Sequence, residues 1–191
     1  MNRSIVLASS SPRRQELLRG LGLAFEICAL PVDESVPGAP EQVVVTLAER
    51  KARAALAQYP NALIIGADTL VGARNETLGK PTDEEDAYRM LSLLQGGWHS
   101  VHSGVCLIDG PREKIYLRHE VTHVEFVPLS PSEIRAYIAT GEPFDKAGAY
   151  ALQGIAGMFV SRIDGSSSNV IGLPLAALRE MLLQADFKVL G

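Results

Sequence analysis

The sequence predicts an α/β fold, a mixed twisted sheet with flanking helices, on three observations. Short apolar runs of strand composition alternate with stretches of helical periodicity. Proline, serine and acidic signals open the helical stretches, and glycines close them. Two long strand-like stretches, Trp98 to Ile108 and Lys114 to Val127, flank the turn Asp109-Gly110-Pro111. A pair of that kind favours a mixed sheet over a purely parallel one.

The elements follow in order. Ile5 to Ala8 reads as a short buried strand. Ser11-Pro12 then opens a helix, with serine as N-cap and proline at the first helical position, running to Gly20 and Gly22. Phe25 to Leu30 is a second strand, and a long helix covers about Glu41 to Gln58. Leu63-Ile64-Ile65 is a strand leading into Gly66-Ala67-Asp68-Thr69, and Ala73-Arg74-Asn75-Glu76 a hairpin turn. Thr82-Asp83-Glu84-Glu85 reads as a capping box for a helix ending at Gly96-Gly97. Ser130-Pro131-Ser132-Glu133 is a second box, its helix ending at Gly141. Met158 to Ile163 is a strand, Asp164-Gly165 a turn, Ser166-Ser167-Ser168 a polar turn, and Pro174 to Gln184 the last helix.

Composition narrows the class. With 191 residues, 47% apolar and 21% charged, the chain is too apolar for disorder and lacks collagen or coiled-coil bias. The length suits one domain, or one domain with two lobes. Cys28 and Cys106 sit in apolar runs and read as buried reduced thiols of a cytosolic protein. A net charge of −4 argues against a general nucleic-acid binder. No apolar run is long enough for a membrane span, and Met1 to Ala8 is too short an apolar start for export.

The familiar phosphate loops and the serine-hydrolase elbow are absent, so a nucleotide site must be built another way. Five places offer the chemistry. In Ser9-Ser10-Ser11-Pro12-Arg13-Arg14 two arginines stand at a helix start, where the dipole favours acids; a bound anion would reverse that penalty. The alternative is a serine cap with solvated arginines. Asp68, expected at the end of a buried strand, can bind a metal, activate water, or serve as a structural acid. Lys51 falls on the apolar stripe of Val44, Leu47, Ala48 and Ala55, so its head must snorkel or reach an internal anion. Arg50 and Arg53 lie off that stripe and read as solvent-facing.

Lys80, between Gly79 and Pro81, is held on a defined turn and could meet a phosphate or merely solvent. Asp145-Lys146-Ala147-Gly148-Ala149-Tyr150, then Gln153-Gly154, combines small residues that allow close backbone approach with an amide suited to a base edge. A loop packed tightly for its own sake is the alternative. The histidines argue against a zinc site: His99 and His102 point to opposite faces, and His119 and His123 stand roughly 13 Å apart by strand rise. A strand-end acid with Asp33-Glu34, several cations and hydroxyls together describe a site for a polyanion and a divalent metal.

These motifs, in this order, resemble the Maf family of house-cleaning nucleoside triphosphate pyrophosphatases. The resemblance rests on Leu7 to Arg14, Asp33-Glu34, Lys51-Ala52-Arg53-Ala54, Gly66-Ala67-Asp68-Thr69, Gly79-Lys80-Pro81, Asp145 to Tyr150 with Gln153-Gly154, and Ile171-Gly172-Leu173-Pro174. It spans essentially the whole chain. It implies an inosine-triphosphatase-like fold, a single Maf-like domain over residues 1–191 with two lobes around a cleft, and often a homodimer. The implied reaction hydrolyses the α–β phosphoanhydride to a nucleoside monophosphate and pyrophosphate, with Mg²⁺ or Mn²⁺.

By the same resemblance Asp68 is the proton acceptor, while Arg13, Thr69 and Gln153 match the dTTP/UTP subfamily. On that basis Glu34 and Asp68 are expected to hold the metal. Ser11, Arg13, Arg14, Lys51, Lys80 and Lys146 are expected to bind the phosphates, and Thr69 and Gln153 to read the pyrimidine. Ala151 stands where glycine is common in the family, and Ser167 where an aromatic is common. The expected partner is a nucleoside triphosphate, with no nucleic acid and no membrane. The competing expectations are a non-catalytic nucleotide-binding regulator of septum formation and a phosphohydrolase acting on terminal phosphates.

Overall fold

The computed structural model describes residues 3–190. Met1 and Asn2, which begin the segment read against export, lie outside the described residues. Seven strands form one mixed sheet: β1 (Ile5–Leu7), β2 (Glu26–Ile27), β3 (Leu63–Ala73), β4 (Glu76–Leu78), β5 (Trp98–Asp109), β6 (Lys114–Phe126) and β7 (Val160–Asp164). Their order is β2-β1-β3-β5-β6-β7, with β4 paired to β3. β1 runs parallel to β2 and β3, whereas β3–β4 and β6–β7 are antiparallel. The helices are α1 (Pro12–Gly20), α2 (Pro40–Leu56), α3 (Glu84–Leu94), α4 (Pro131–Ile138), α5 (Ser167–Ile171) and α6 (Leu175–Gln184). None of the described helices is long and apolar enough to cross a membrane.

The chain divides into two compact units: residues 1–68, 103–120 and 172–191, then residues 69–102 and 121–171. In the first, strand alternation sorts the core into two faces. Ile5, Leu7, Leu63, Ile65, Ala67, Val105 and Leu107 cluster with Leu18 of α1 and Leu178, Met181 and Leu182 of α6. Val6, Ile64, Cys106 and Ile108 cluster on the other side with Ala48, Ala52 and Ala55 of α2. The second unit has its own core, centred on Phe126, Leu91, Leu94, Tyr137, Tyr150 and Phe159.

Several boundaries differ from the sequence expectation. β3 does not stop at Ile65; it continues through Gly66-Ala67-Asp68-Thr69 to Ala73, so Asp68 is mid-strand, not at a strand end. Gly66 stands where α2 lies against the strand: a Cβ on it would sit 2.1 Å from the Ala48 carbonyl oxygen. Gly104 of β5 meets the same helix, its Cβ position 2.2 Å from the Val44 carbonyl oxygen. The second strand shrinks to Glu26–Ile27, both residues exposed at the sheet edge.

Asp83, not Thr82, caps α3, accepting from the Asp86 N–H at 2.8 Å. Ser166-Ser167-Ser168 runs into α5 instead of ending in a turn. Residues 155–159 form a 3-10 turn before β7. The box at Ser130 is complete, with Glu133 returning a bond to the Ser130 N–H at 2.7 Å. The hairpin turn is also as expected, with Arg74 and Asn75 both at positive φ.

Candidate active site

The first unit holds six of the candidate residues: Ser11, Arg13, Arg14, Glu34, Lys51 and Asp68. Gly66 and Asp68 share one face of β3, the face that α2 covers. Because Gly66 lets the helix backbone come close at Ala48 and Ala52, Lys51 arrives at the height of Asp68. Its Nζ lies 2.6 Å from Asp68 Oδ1 and 2.8 Å from Glu34 Oε1. Lys51 therefore reaches one buried anion, Asp68, and one exposed anion, Glu34, instead of only snorkelling to solvent. Asp68 is 9% exposed, whereas Glu34 stands exposed on the loop before α2.

That loop is pinned a second time. Arg50 Nη1 donates to the Asp33 carbonyl oxygen at 2.7 Å, and the Asp33 carboxylate caps the Ser35 N–H at 2.9 Å. Arg50 is thus tied to the loop, a role its off-stripe position did not suggest. Arg53 does face outward, paired with Glu49 one turn back.

Arg14 is fixed from two sides. Its Nε donates to the Gly172 carbonyl oxygen at 2.8 Å and its Nη1 to Ser9 Oγ at 3.0 Å. Ser9, itself buried, also takes the Ser11 N–H at 3.3 Å. Ser11 stands at the N-cap of α1 but makes no side-chain capping bond. Burial pulls the Arg14 guanidinium below its ordinary pKa; Asp68 opposes that, the like charge of Arg13 adds to it, and Glu34 opposes it. Three cations and two carboxylates therefore feel one another. Such a group can grip an oxyanion and orient a carboxylate toward water.

The other four candidates, Thr69, Lys80, Lys146 and Gln153, belong to the second unit. Thr69 follows Asp68 on β3 and is half-buried. Lys80 is exposed, on a turn whose Gly79 carbonyl oxygen accepts the Gly148 N–H at 3.0 Å. The small residues at 147–149 serve internal packing: a Cβ on Gly148 would lie 2.9 Å from Val71 Cγ2. Lys146 Nζ donates to the Glu142 carbonyl oxygen and the Asp145 carboxylate. Gln153 is exposed on the turn ending at Gly154, which has φ +113°. Glu142 receives the N–H groups of Ile155 and Ala156.

Cys28 and Cys106 are buried free thiols, and burial pushes Cys106 up to about 12. Ser9 and Gly172 were visible in the sequence as parts of motifs, without their role of aiming Arg14. Glu142 carried no signal, since a lone acid after a helix-ending glycine has no periodicity to mark it.

The family described as "Maf-like protein" matches residues 4–185. The chain is 50% identical over 190 residues to the dTTP/UTP pyrophosphatase of Pelotomaculum thermopropionicum, covering 98% of this chain and 100% of that one. It is 44% identical over 183 residues to the protein of the same name from Aquifex aeolicus, covering 95% of each. Among solved structures, the Ham1 protein of Staphylococcus aureus superposes with a TM-score of 0.54 at 15% identity, covering 96% of this chain and 100% of that one. That likeness shows a shared fold, a mixed open sheet with flanking helices. The family match and the near full-length identities show that the chain belongs to the Maf family.

Proposed function

We propose that this protein is a cytosolic house-cleaning pyrophosphatase. It hydrolyses dTTP, UTP and related pyrimidine nucleoside triphosphates to the monophosphate and pyrophosphate. The observation that carries the proposal is the Glu34–Lys51–Asp68 bridge in the charge field of Arg13 and Arg14. The names of relatives 44–50% identical support the substrate class.

The donor set fits a divalent cation. Glu34 and Asp68 already converge on one positive charge, the Lys51 ammonium. Mg²⁺ and Mn²⁺ are commonly held by one or two carboxylates, with phosphate oxygens and water completing the shell. Glu34 and Asp68 are the proposed ligands; among the described residues no group of three or more His, Cys, Asp or Glu side chains could hold such an ion. When bound, the ion would neutralise phosphate charge.

The chain's own residues do the rest. Asp68, oriented by the Lys51 bond, accepts the proton of the water that attacks the α phosphorus. The new P–O bond forms as the bond to the bridging oxygen breaks, and pyrophosphate leaves. Ser11, Arg13, Arg14, Lys51, Lys80 and Lys146 bind the phosphates and stabilise the charge that develops on them. Thr69 and Gln153 select the pyrimidine. Residues 1–191 are proposed as a single Maf-like domain.

A panel of nucleotides assayed for product with Mg²⁺ tests the proposal. Pyrophosphate released from dTTP and UTP is the expected outcome. Orthophosphate would mean a terminal phosphohydrolase, and binding without turnover would mean a regulator.

A further inference from the structure

The Glu142 side chain ties the segment that follows Gln153 to Tyr137 of α4. Oε2 accepts the Ile155 N–H at 3.0 Å, and Oε1 accepts the Ala156 N–H at 3.3 Å and the Tyr137 hydroxyl at 3.0 Å. Both N–H groups begin the 3-10 turn Ile155–Phe159, so one carboxylate caps the turn that follows Gln153-Gly154. Gly154 completes the fit. Its φ of +113° is disfavoured for any side chain, and a Cβ there would come within 2.8 Å of both Glu142 carboxylate oxygens. Tyr137 is itself anchored in the core by an edge contact with Phe159, 5.1 Å between ring centres. An exposed glutamine on an unsupported turn would sample many orientations. Here the two residues after Gly154 are held by Glu142, which is itself bonded to Tyr137 of α4.

We infer that Glu142 is a positioning residue for base selection: it holds the Gln153-Gly154 turn so that the Gln153 amide is presented in one orientation to the pyrimidine. The inference rests on the proposed function. A second contact separates it from phosphate binding. Lys146 bonds the main-chain carbonyl of Glu142, so replacing the side chain leaves that bond in place.

The test is Glu142→Gln, which keeps size but turns one acceptor into a donor facing the Ile155 N–H. KM for dTTP and UTP is expected to rise about tenfold, the scale of one unsatisfied hydrogen bond. The preference of kcat/KM for dTTP over GTP should fall by a similar factor. Inhibition by tripolyphosphate, which has no base, should stay at the wild-type level. Unchanged KM and preference in a folded variant overturn the inference, as does an equal loss of tripolyphosphate inhibition. If Glu142→Gln does not fold, Gly154→Ala and Tyr137→Phe take its place, each expected to weaken pyrimidine preference; retained preference in both overturns it. Wild-type protein that releases no pyrophosphate from dTTP or UTP overturns the proposed function itself, and the inference with it.

Discussion

Lys51 is the residue on which the candidate site turns. It is the one charged side chain on an apolar stripe, and it ends between two carboxylates at 2.6 and 2.8 Å. Asp68→Asn preserves the shape and removes the proposed proton acceptor. Its kcat is expected to fall by at least about a thousandfold, with the thermal melt intact, because the lost group acts only as charge develops. A variant with wild-type turnover would remove Asp68 from catalysis.

A second residue bears on stability. His99 is buried, shares a 2.8 Å hydrogen bond with the Tyr150 hydroxyl, and packs edge-on to Phe126. Burial, and then the charge of His123, lower its pKa to about 4 from the ordinary 6.5. The unfolded chain therefore binds a proton between those values that the folded chain refuses. His99 is neutral at no cost above pH 6.5, and stability falls as pH drops from there toward 4. The full effect is roughly 3 kcal/mol. Urea melts from pH 7.5 to 4.5 should show this acid-side slope, and His99→Gln should flatten it.

Among the elements, the pairing of α2 with β3 matters most. The helix sits close because Gly66 and Gly104 have no Cβ, and that closeness delivers Lys51 to Asp68. Gly66→Ala places a methyl 2.1 Å from a carbonyl oxygen of a packed helix. The expected cost is about 1 to 3 kcal/mol or more, a fall in Tm of roughly 3 to 10 °C. Gly20→Ala, whose Cβ would meet nothing within 4 Å, should hold its Tm. The same pairing explains why β3 runs past the Ile65 end that its apolar run predicts: the sequence does not show the helix that packs on Gly66. The helix boundaries were more legible, because capping is local. Ser130 and Glu133 lie one turn apart, and their reciprocal bonds need no distant partner. Even there Asp83 displaced Thr82 by one position, since either side chain can cap.

Taken whole, the described residues build three hydrophobic clusters, two in the first unit and one in the second, and β3, β5 and β6 each contribute residues to both units. With two carboxylates as the proposed ligands, a divalent ion would be held largely through substrate and water. EDTA is expected to reduce turnover to background, and Mg²⁺ or Mn²⁺ to restore it. A non-hydrolysable pyrimidine triphosphate should raise Tm more with the metal than without it, by mass action. Equal shifts would separate the ion from nucleotide binding.

The sequence by itself determined the alternation of elements, the mixed sheet, the hairpin at Arg74-Asn75, the capping signals and the family, because each lies in local pattern or in ordered motifs. Only the tertiary structure decided what the charges do. Lys51 stands 17 positions from Asp68 in the chain, and Arg14 is 158 from the Gly172 carbonyl that aims it. No periodicity links residues so far apart; the fold brings them together by burying the strands and helices on which they ride.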